Sequence, residues 1–391
     1  MIDPKSLSRN WNYPTSVRFG VGRIAELPAV CRELGMKRPL LVTDPGLRKL
    51  PMIERALAAL ERAGLGEAVF SDIRPNPVGR NVEDGVACYR ASGCDGVIAF
   101  GGGSALDVGK TIALMVGQTR PVWDFEDRED WYKRVNVSGM ARTIAVPTTA
   151  GTGSEVGRAA VILDEATHVK KIIFHPGMMP AVVIADPELT VGLPARITAA
   201  TGMDALAHNL EAYCAPGFHP LADGIAVEAM RLIKEWLPAA VQDGKNLVAR
   251  AHMLAAASMG ATAFQKGLGA IHSLSHPVGA LYNTHHGETN GVVMPYVLIF
   301  NRPAIEERMT RLARYLGLPD PGFQAVLDWV LRLRKEIGIA HTLAELGVKE
   351  ADLDTLTPMA VDDPSTGGNP RPVGHAEMRQ MFVKAIRGDL S

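Results

Sequence analysis

The character of the chain changes once, near residue 193, and that change limits the folds open to it. Before it, short apolar runs alternate with helix-like segments. PLLVTD (39–44) reads as a buried strand ending in a turn. PMIERALAALERAG (51–64) follows as a helix, with Pro at its start and Gly at its end. DGVIAFGGG (95–103), RTIAVPTTAGTG (142–153) and AVVIADPEL (181–189) repeat the strand signal. This alternation predicts a parallel sheet with helices on both faces. RAAVILDEATHVKKIIF (158–174) differs: two β-rich runs flank a polar turn, so a hairpin is expected there. After Leu193 the segments have a 3.6-residue period and are rich in Ala, Leu and Met, so that half is expected to be helical. A chain of 391 residues suits two domains, 1–192 α/β and 193–391 all-α.

Charge narrows the function classes. Lys plus Arg is 41 and Asp plus Glu is 42, a formal net charge of -1, which supplies no field for a nucleic acid or a membrane surface. MIDPKSLSRN lacks the apolar stretch of a signal peptide. No apolar run approaches the roughly 20 residues of a spanning helix. Cys31, Cys88, Cys94 and Cys214 form no CxxC pair and read as reduced thiols of a cytoplasmic protein.

Gly101, Gly102, Gly103 and Ser104 follow one of the apolar strands and precede the helical pattern ALDVGKTIALM. Glycine lets the backbone approach a phosphate, and the helix start offers free N–H groups and a positive dipole end. The turn therefore reads either as a pyrophosphate cradle at the carboxyl end of a strand or as a plain tight turn. Two stricter motifs fail: Leu106 stands where GxGxxG needs its last glycine, and Ser104 where a P-loop needs its first. The loop Pro147-Thr148-Thr149-Ala150-Gly151-Thr152-Gly153-Ser154-Glu155 could bond a cofactor without filling its space. Asp44, ending the PLLVTD strand, could accept ribose hydroxyls and repel a 2′-phosphate, or could serve only as a turn residue.

The second half carries the histidines. Asp204 and His208 are four apart in GMDALAHNLEAY, and His272 and His276 repeat that spacing in GAIHSLSHPVGA. Residues at i and i+4 share a helix face, so each pair can reach one ion. His285 and His286 lie in YNTHHGETN. One carboxylate with several imidazoles and no thiolate suits Fe(II), Zn(II) or a similar divalent metal. Such a Lewis acid lowers the pKa of an alcohol as hydride leaves its carbon.

These segments resemble the iron-containing (group III) alcohol dehydrogenases, over nearly the whole chain. The resemblance rests on FGVGRIAELP (19–28), RPNP (74–77), GGGSALDVGK (101–110), PTTAGTGSE (147–155), ADPELTVGLP (185–194), GMDALAHNLEAY (202–213) and HSLSHPVGALYNTHHGETN (272–290). It implies a Rossmann-like dinucleotide-binding domain followed by a helical metal- and substrate-binding domain, the dehydroquinate synthase-like fold. It implies hydride transfer between NAD and an alcohol or aldehyde, with Fe2+ first among the metals and Zn2+ an alternative. By position it implies Asp204, His208, His272 and His286 as metal ligands. Asp44, Asn76, Gly102, Gly103, Ser104, Thr148, Thr149 and Lys170 match cofactor-contact positions, and His276 a histidine beside the metal. His276 is expected to relay a proton or position the nicotinamide. The expected partners are a small alcohol or aldehyde and further copies of the chain.

Two other readings share these features: a dehydroquinate synthase-like lyase, which usually uses Glu with two His, and an inactive binding protein. Finally, Lys266 sits in the turn before the second histidine pair, where its ammonium could bind an anionic group on the substrate or stand solvated at the surface.

Overall fold

The computed structural model describes residues 9–11 and 14–391, with side chains from residue 14 onward. MIDPKSLSRN, read above as lacking a leader, lies outside the described residues except for its last two. The chain divides into two compact units. The first runs to Thr149 and resumes over Gly153–Val191; the second takes Ala150–Thr152 and Gly192–Ser391.

In the first unit, β1 (Arg9–Trp11), β2 (Ser16–Phe19), α1 (Leu27–Glu33), β3 (Pro39–Val42), α2 (Pro51–Arg62), β4 (Val69–Phe70), α3 (Gly79–Ala91), β5 (Gly96–Gly101) and α4 (Gly103–Met115) follow in order. Then come β6 (Arg142–Pro147), β7 (Ala159–Asp164), β8 (Val169–Phe174) and β9 (Val182–Ala185). The main sheet has the order β1-β2-β9-β6-β5-β3-β4. β1 runs antiparallel to β2, and the other pairs are parallel. β7 and β8 form the separate antiparallel hairpin. Successive strand residues point to opposite faces, and the core divides accordingly. Leu40 and Val42 of β3 and Val97 of β5 pack with Val108 and Ile112 of α4 and Val82 of α3. Leu41, Ile98 and Phe100 pack on the other side with Val30 of α1 and Ile53 and Leu60 of α2.

The second unit consists of α5 (Ala195–Cys214), α6 (Pro220–Gln242), α7 (Leu247–Ala263), α8 (Ala270–Tyr282), α9 (His286–Tyr315), α10 (Phe323–Glu336), α11 (Leu353–Val361) and α12 (His375–Arg387). Every residue of α5 from Thr198 to Cys214 is buried, because α6, α7 and α9 pack around it. Its polar residues are therefore core residues and must find partners there. No helix among the described residues is long and apolar enough to cross a membrane.

One glycine fixes the distance between α4 and the sheet. A Cβ on Gly109 would stand 2.6 Å from the Cβ and 3.2 Å from the Cα of Ala99 on β5. The sheet cannot yield there, so Gly109→Ala should destabilise the protein by about 1–3 kcal/mol, the usual cost of overpacking. Urea unfolding measures this; an unchanged midpoint would mean that α4 rides freely over the sheet.

Candidate metal centre and dinucleotide loops

Asp204 is the centre of the candidate metal site. Its Oδ1 lies 3.8 Å from His208 Nε2, 4.0 Å from His272 Nε2 and 3.5 Å from His286 Nε2. With ligand bonds of about 2.1 Å, neighbouring donors of a tetrahedral ion stand about 3.4 Å apart. The separations here are close to that. Asp204, His208 and His272 bring one donor atom each within 4.8 Å of one another, all from buried side chains. His286 approaches from a more open side, with its side chain 26% exposed. His285, its neighbour, is the N-cap residue of α9, and its buried Nδ1 has no hydrogen-bond partner among the described residues.

Local geometry explains how three helices meet here. Gly287 lets α9 begin against α5: a Cβ there would fall 2.1 Å from the Ala200 carbonyl oxygen and 2.8 Å from Asp204 Cβ. α8 starts at Gly269, which has no side chain to cap it. Its first amides are satisfied from elsewhere: Ala270 N–H donates to Asn369 Oδ1 (3.2 Å) and Ile271 N–H to Glu211 Oε1 (2.7 Å). Glu211 Oε2 is also 2.5 Å from His272 Nδ1. One carboxylate from α5 thus caps α8 and orients the imidazole that α8 carries.

The electrostatics of the imidazoles differ. Burial pushes His208 down to about 4, so it stands neutral with its lone pair available. Burial acts the same way on His272, but the charge and hydrogen bond of Glu211, with Asp204, outweigh it and raise its pKa. The two rings stack at 4.8 Å, and Phe264 lies on His208 at 5.0 Å. His276 is one turn beyond His272. Its Nδ1 is 2.7 Å from Asp363 Oδ2, and its ring stacks on His286 at 5.3 Å.

Glu211, Asp363 and Asn290 were absent from the sequence reading. Glu211 stands three residues after His208 and Asn290 four after His286, so spacing alone put both on the histidine faces. Asp363 comes from the Pro/Gly-rich loop near the C-terminus, and no spacing pointed to it. Lys266 needs correction. Its side chain is 2% exposed, and its ammonium is 2.6 Å from Asp223 Oδ1 and 3.4 Å from the Tyr213 carbonyl. It is neither a solvated lysine nor one with charge left for a substrate.

In the first unit, the candidate cofactor positions gather at the carboxyl ends of three adjacent strands, where open α/β sheets bind ligands. Asp44 follows β3, Gly102, Gly103 and Ser104 follow β5, and Thr148 and Thr149 follow β6. Thr148 N–H donates to the Gly101 carbonyl (3.0 Å). A Cβ on Gly102 would meet Thr149 Cγ2 at 3.2 Å. Ser104 Oγ donates to the Pro75 carbonyl (2.5 Å), which draws in the loop carrying Asn76. Lys170 arrives on the hairpin: it pairs with Leu163, whose N–H donates to the Pro77 carbonyl (2.7 Å). Asp44 also performs the turn role, with Oδ1 accepting from Gly46 and Leu47 N–H, both at 2.9 Å.

Comparison with known proteins adds the family. The iron-containing alcohol dehydrogenase profile matches residues 14–187, and the C-terminal region of that family matches residues 198–386. The chain is 41% identical over 387 residues to 4-hydroxybutyrate dehydrogenase of Cupriavidus necator, covering 96% of this chain and 99% of that one. A 1,3-propanediol oxidoreductase structure superposes with a TM-score of 0.90 at 36% identity, covering 99% of this chain and 100% of the other. Sulfoacetaldehyde reductase from Bifidobacterium kashiwanohense, solved with NAD+, gives 0.87 at 30% identity, with 96% and 98% covered.

Glu211→Gln should raise the dissociation constant of a divalent ion at the Asp204 cluster about 10- to 100-fold, because the His272 imidazole loses the carboxylate that makes it basic. Competition with a chromogenic chelator reads this directly. An unchanged constant would leave Glu211 with the capping role alone.

Proposed function

The chain belongs to the iron-containing alcohol dehydrogenase family, and we propose that Asp204, His208, His272 and His286 hold its divalent metal ion. It is an oxidoreductase that moves a hydride between NAD(H) and a primary alcohol or aldehyde, which sets aside the lyase and the inactive binding protein. The convergence of three imidazole Nε2 atoms on Asp204 Oδ1, at 3.5 to 4.0 Å, carries the ligand assignment. The donor set of one hard oxygen and three imidazole nitrogens fits either Fe(II) or Zn(II), and membership of the iron-containing family puts Fe(II) first.

When bound, the metal supplies Lewis-acid polarisation of the alcohol oxygen and NAD supplies the hydride acceptor. The chain's own residues set the stage for both. Asp204 brings the negative charge that retains a cation. His208, held neutral by burial, offers a lone pair with no proton to lose at neutral pH. Glu211 fixes the ring of His272. Asp363, taking the Nδ1 side of His276, leaves Nε2 of that ring to accept and pass on the alcohol proton, and we assign His276 this relay. Asn76, Gly102, Gly103, Ser104, Thr148, Thr149 and Lys170 are assigned to the dinucleotide, on the strength of their meeting at the sheet's carboxyl edge. We divide these tasks between domains 1–192 and 193–391. The four thiols are unpaired, which fits a reducing cytoplasm.

The substrate we propose is a short primary alcohol with an anionic group at its far end. Similarity to a 4-hydroxybutyrate dehydrogenase and a sulfoacetaldehyde reductase supports it. A shielded charge-assisted contact contributes roughly 1.5–3 kcal/mol. On metal-loaded protein, kcat/KM for 4-hydroxybutyrate should therefore exceed that for 1-butanol by roughly ten- to hundredfold, read as NADH formation. Metal-stripped protein should form none. Lys266→Met should leave the ratio unchanged, because its ammonium already serves Asp223. Preference for butanol would sink the substrate class, and a collapsed ratio would return Lys266 to the site.

With Oδ1 of Asp44 engaged in the turn, its Oδ2 is assigned to the adenosine ribose. NAD should be preferred over NADP. Asp44→Asn keeps the turn acceptor and removes the charge, so it should narrow the preference by roughly tenfold, about 1.4 kcal/mol. Equal use of both coenzymes by the unaltered protein would refute the assignment.

A further inference from the structure

Asn290 is fully buried on α9, one turn beyond His286. Its amide nitrogen stands among the atoms assigned to the metal. Nδ2 donates to Asp204 Oδ1 at 2.8 Å and lies 3.2 Å from His286 Nε2 and 3.4 Å from His272 Nε2. Its Oδ1, by contrast, is buried and has no hydrogen-bond partner among the described residues. A buried amide oxygen without a partner is rare and calls for a cause.

The cause lies in what surrounds the other end of the amide. Turned over, the side chain would aim its oxygen at a carboxylate and two imidazole lone pairs, all acceptors. The three atoms that call for a cation also call for a donor, and they fix which way Asn290 points. The orphaned oxygen is the cost of keeping the N–H groups on Asp204.

We propose that Asn290 is a positioning residue of the metal centre: by donating to Asp204 Oδ1 it holds that carboxylate, and with it the spacing of α5 and α9, in the arrangement the ion requires. The proposal rests on the ligand assignment made above. Two effects oppose each other. The amide competes with an ion for the His272 and His286 lone pairs, but at 3.4 and 3.2 Å those contacts lie beyond and at the upper end of the hydrogen-bond range. The bond to Asp204, at 2.8 Å, has full strength, and a carboxylate oxygen that accepts one N–H still has electron pairs for an ion. Orientation outweighs competition, so removing the amide should weaken metal binding.

The test uses Asn290→Leu, which has a similar shape and no donor, in the full chain. The dissociation constant for Co(II) is measured by chelator competition, and the d–d absorption spectrum is recorded at saturating Co(II). The expected result is a constant raised about 10- to 100-fold together with an altered spectrum, because the Asp204 carboxylate is free to rotate. A weakened constant with an unchanged spectrum would make Asn290 an ordinary packing residue and overturn the proposal, as would no change in either. If the branched side chain prevents folding, Asn290→Ala carries the same measurements with less volume. Failure of the unaltered protein to bind one Co(II) per chain would instead remove the ligand assignment itself.

Discussion

A carboxylate at the centre of the helical unit governs the rest of that unit. Asp204 is 3% exposed on a helix buried from Thr198 to Cys214. An isolated buried charge of this kind is expensive, and a chain tolerates it only with compensation. Here the neighbours are imidazoles and an amide, with His208 held neutral. The Asn290 amide donates to the carboxylate, and Glu211 and Asp204 favour the charged form of His272; a divalent ion held by the assigned ligands would compensate the charge more fully. The close-packing glycine at 287 and the borrowed caps of α8 serve the same end, since they bring three helices to within one ion's reach.

The sheet unit solves a different problem with similar economy. The loops assigned to the dinucleotide must expose polar backbone and still keep a shape. They do so by bonding to one another: Ser104 to Pro75, Thr148 to Gly101, and Ser154 Oγ to Asp107 Oδ1. The buried Lys110 reinforces this, donating to the carbonyls of Ser154 and Ala159 and pairing with Asp107 at 3.4 Å. The near-match to a P-loop at Gly109-Lys110-Thr111 is thus a packing device. Gly109 seats α4 on Ala99, and Lys110 ties the loop after β6 to the helix.

What could be read from the sequence followed from how each signal arises. β3, β5, β6 and β9 are parallel and buried, so they appear as continuous apolar runs. β4 has two residues and α3 is polar with an internal glycine, and neither carries a pattern that outlasts noise. Asp204, His208 and His272, which the fold brings together, stood out because metal chemistry restricts residue type as well as spacing, whereas the spacing of His276 from His272 did not separate a ligand from a neighbour. Glu211 and Asn290 had the right spacing but ordinary identities: Glu and Asn on a helix usually face water. Only the burial of α5 and α9 by distant segments makes them informative. Lys266 failed for the same reason in reverse, since its partner Asp223 is 43 residues away and sequence alone gives no hint of it.

Because the four assigned ligands come from α5, α8 and α9, ion binding there would be coupled to the folding of the helical unit. Whatever fixes these helices in register lowers the cost of binding, and the bound ion fixes them further. An ion present at a hundred times its dissociation constant would add about 2.7 kcal/mol to stability, a large share of the 5–15 kcal/mol typical of a folded protein. The outer carboxylates work in the same direction. Glu211 holds the assigned ligand His272 at 2.5 Å, and Asp363 holds the neighbouring His276 at 2.7 Å, so both rings are oriented by the chain itself. The ordering entropy is then met during folding, largely by hydrogen bonds within the chain. The assigned ligands would then need little rearrangement to take an ion.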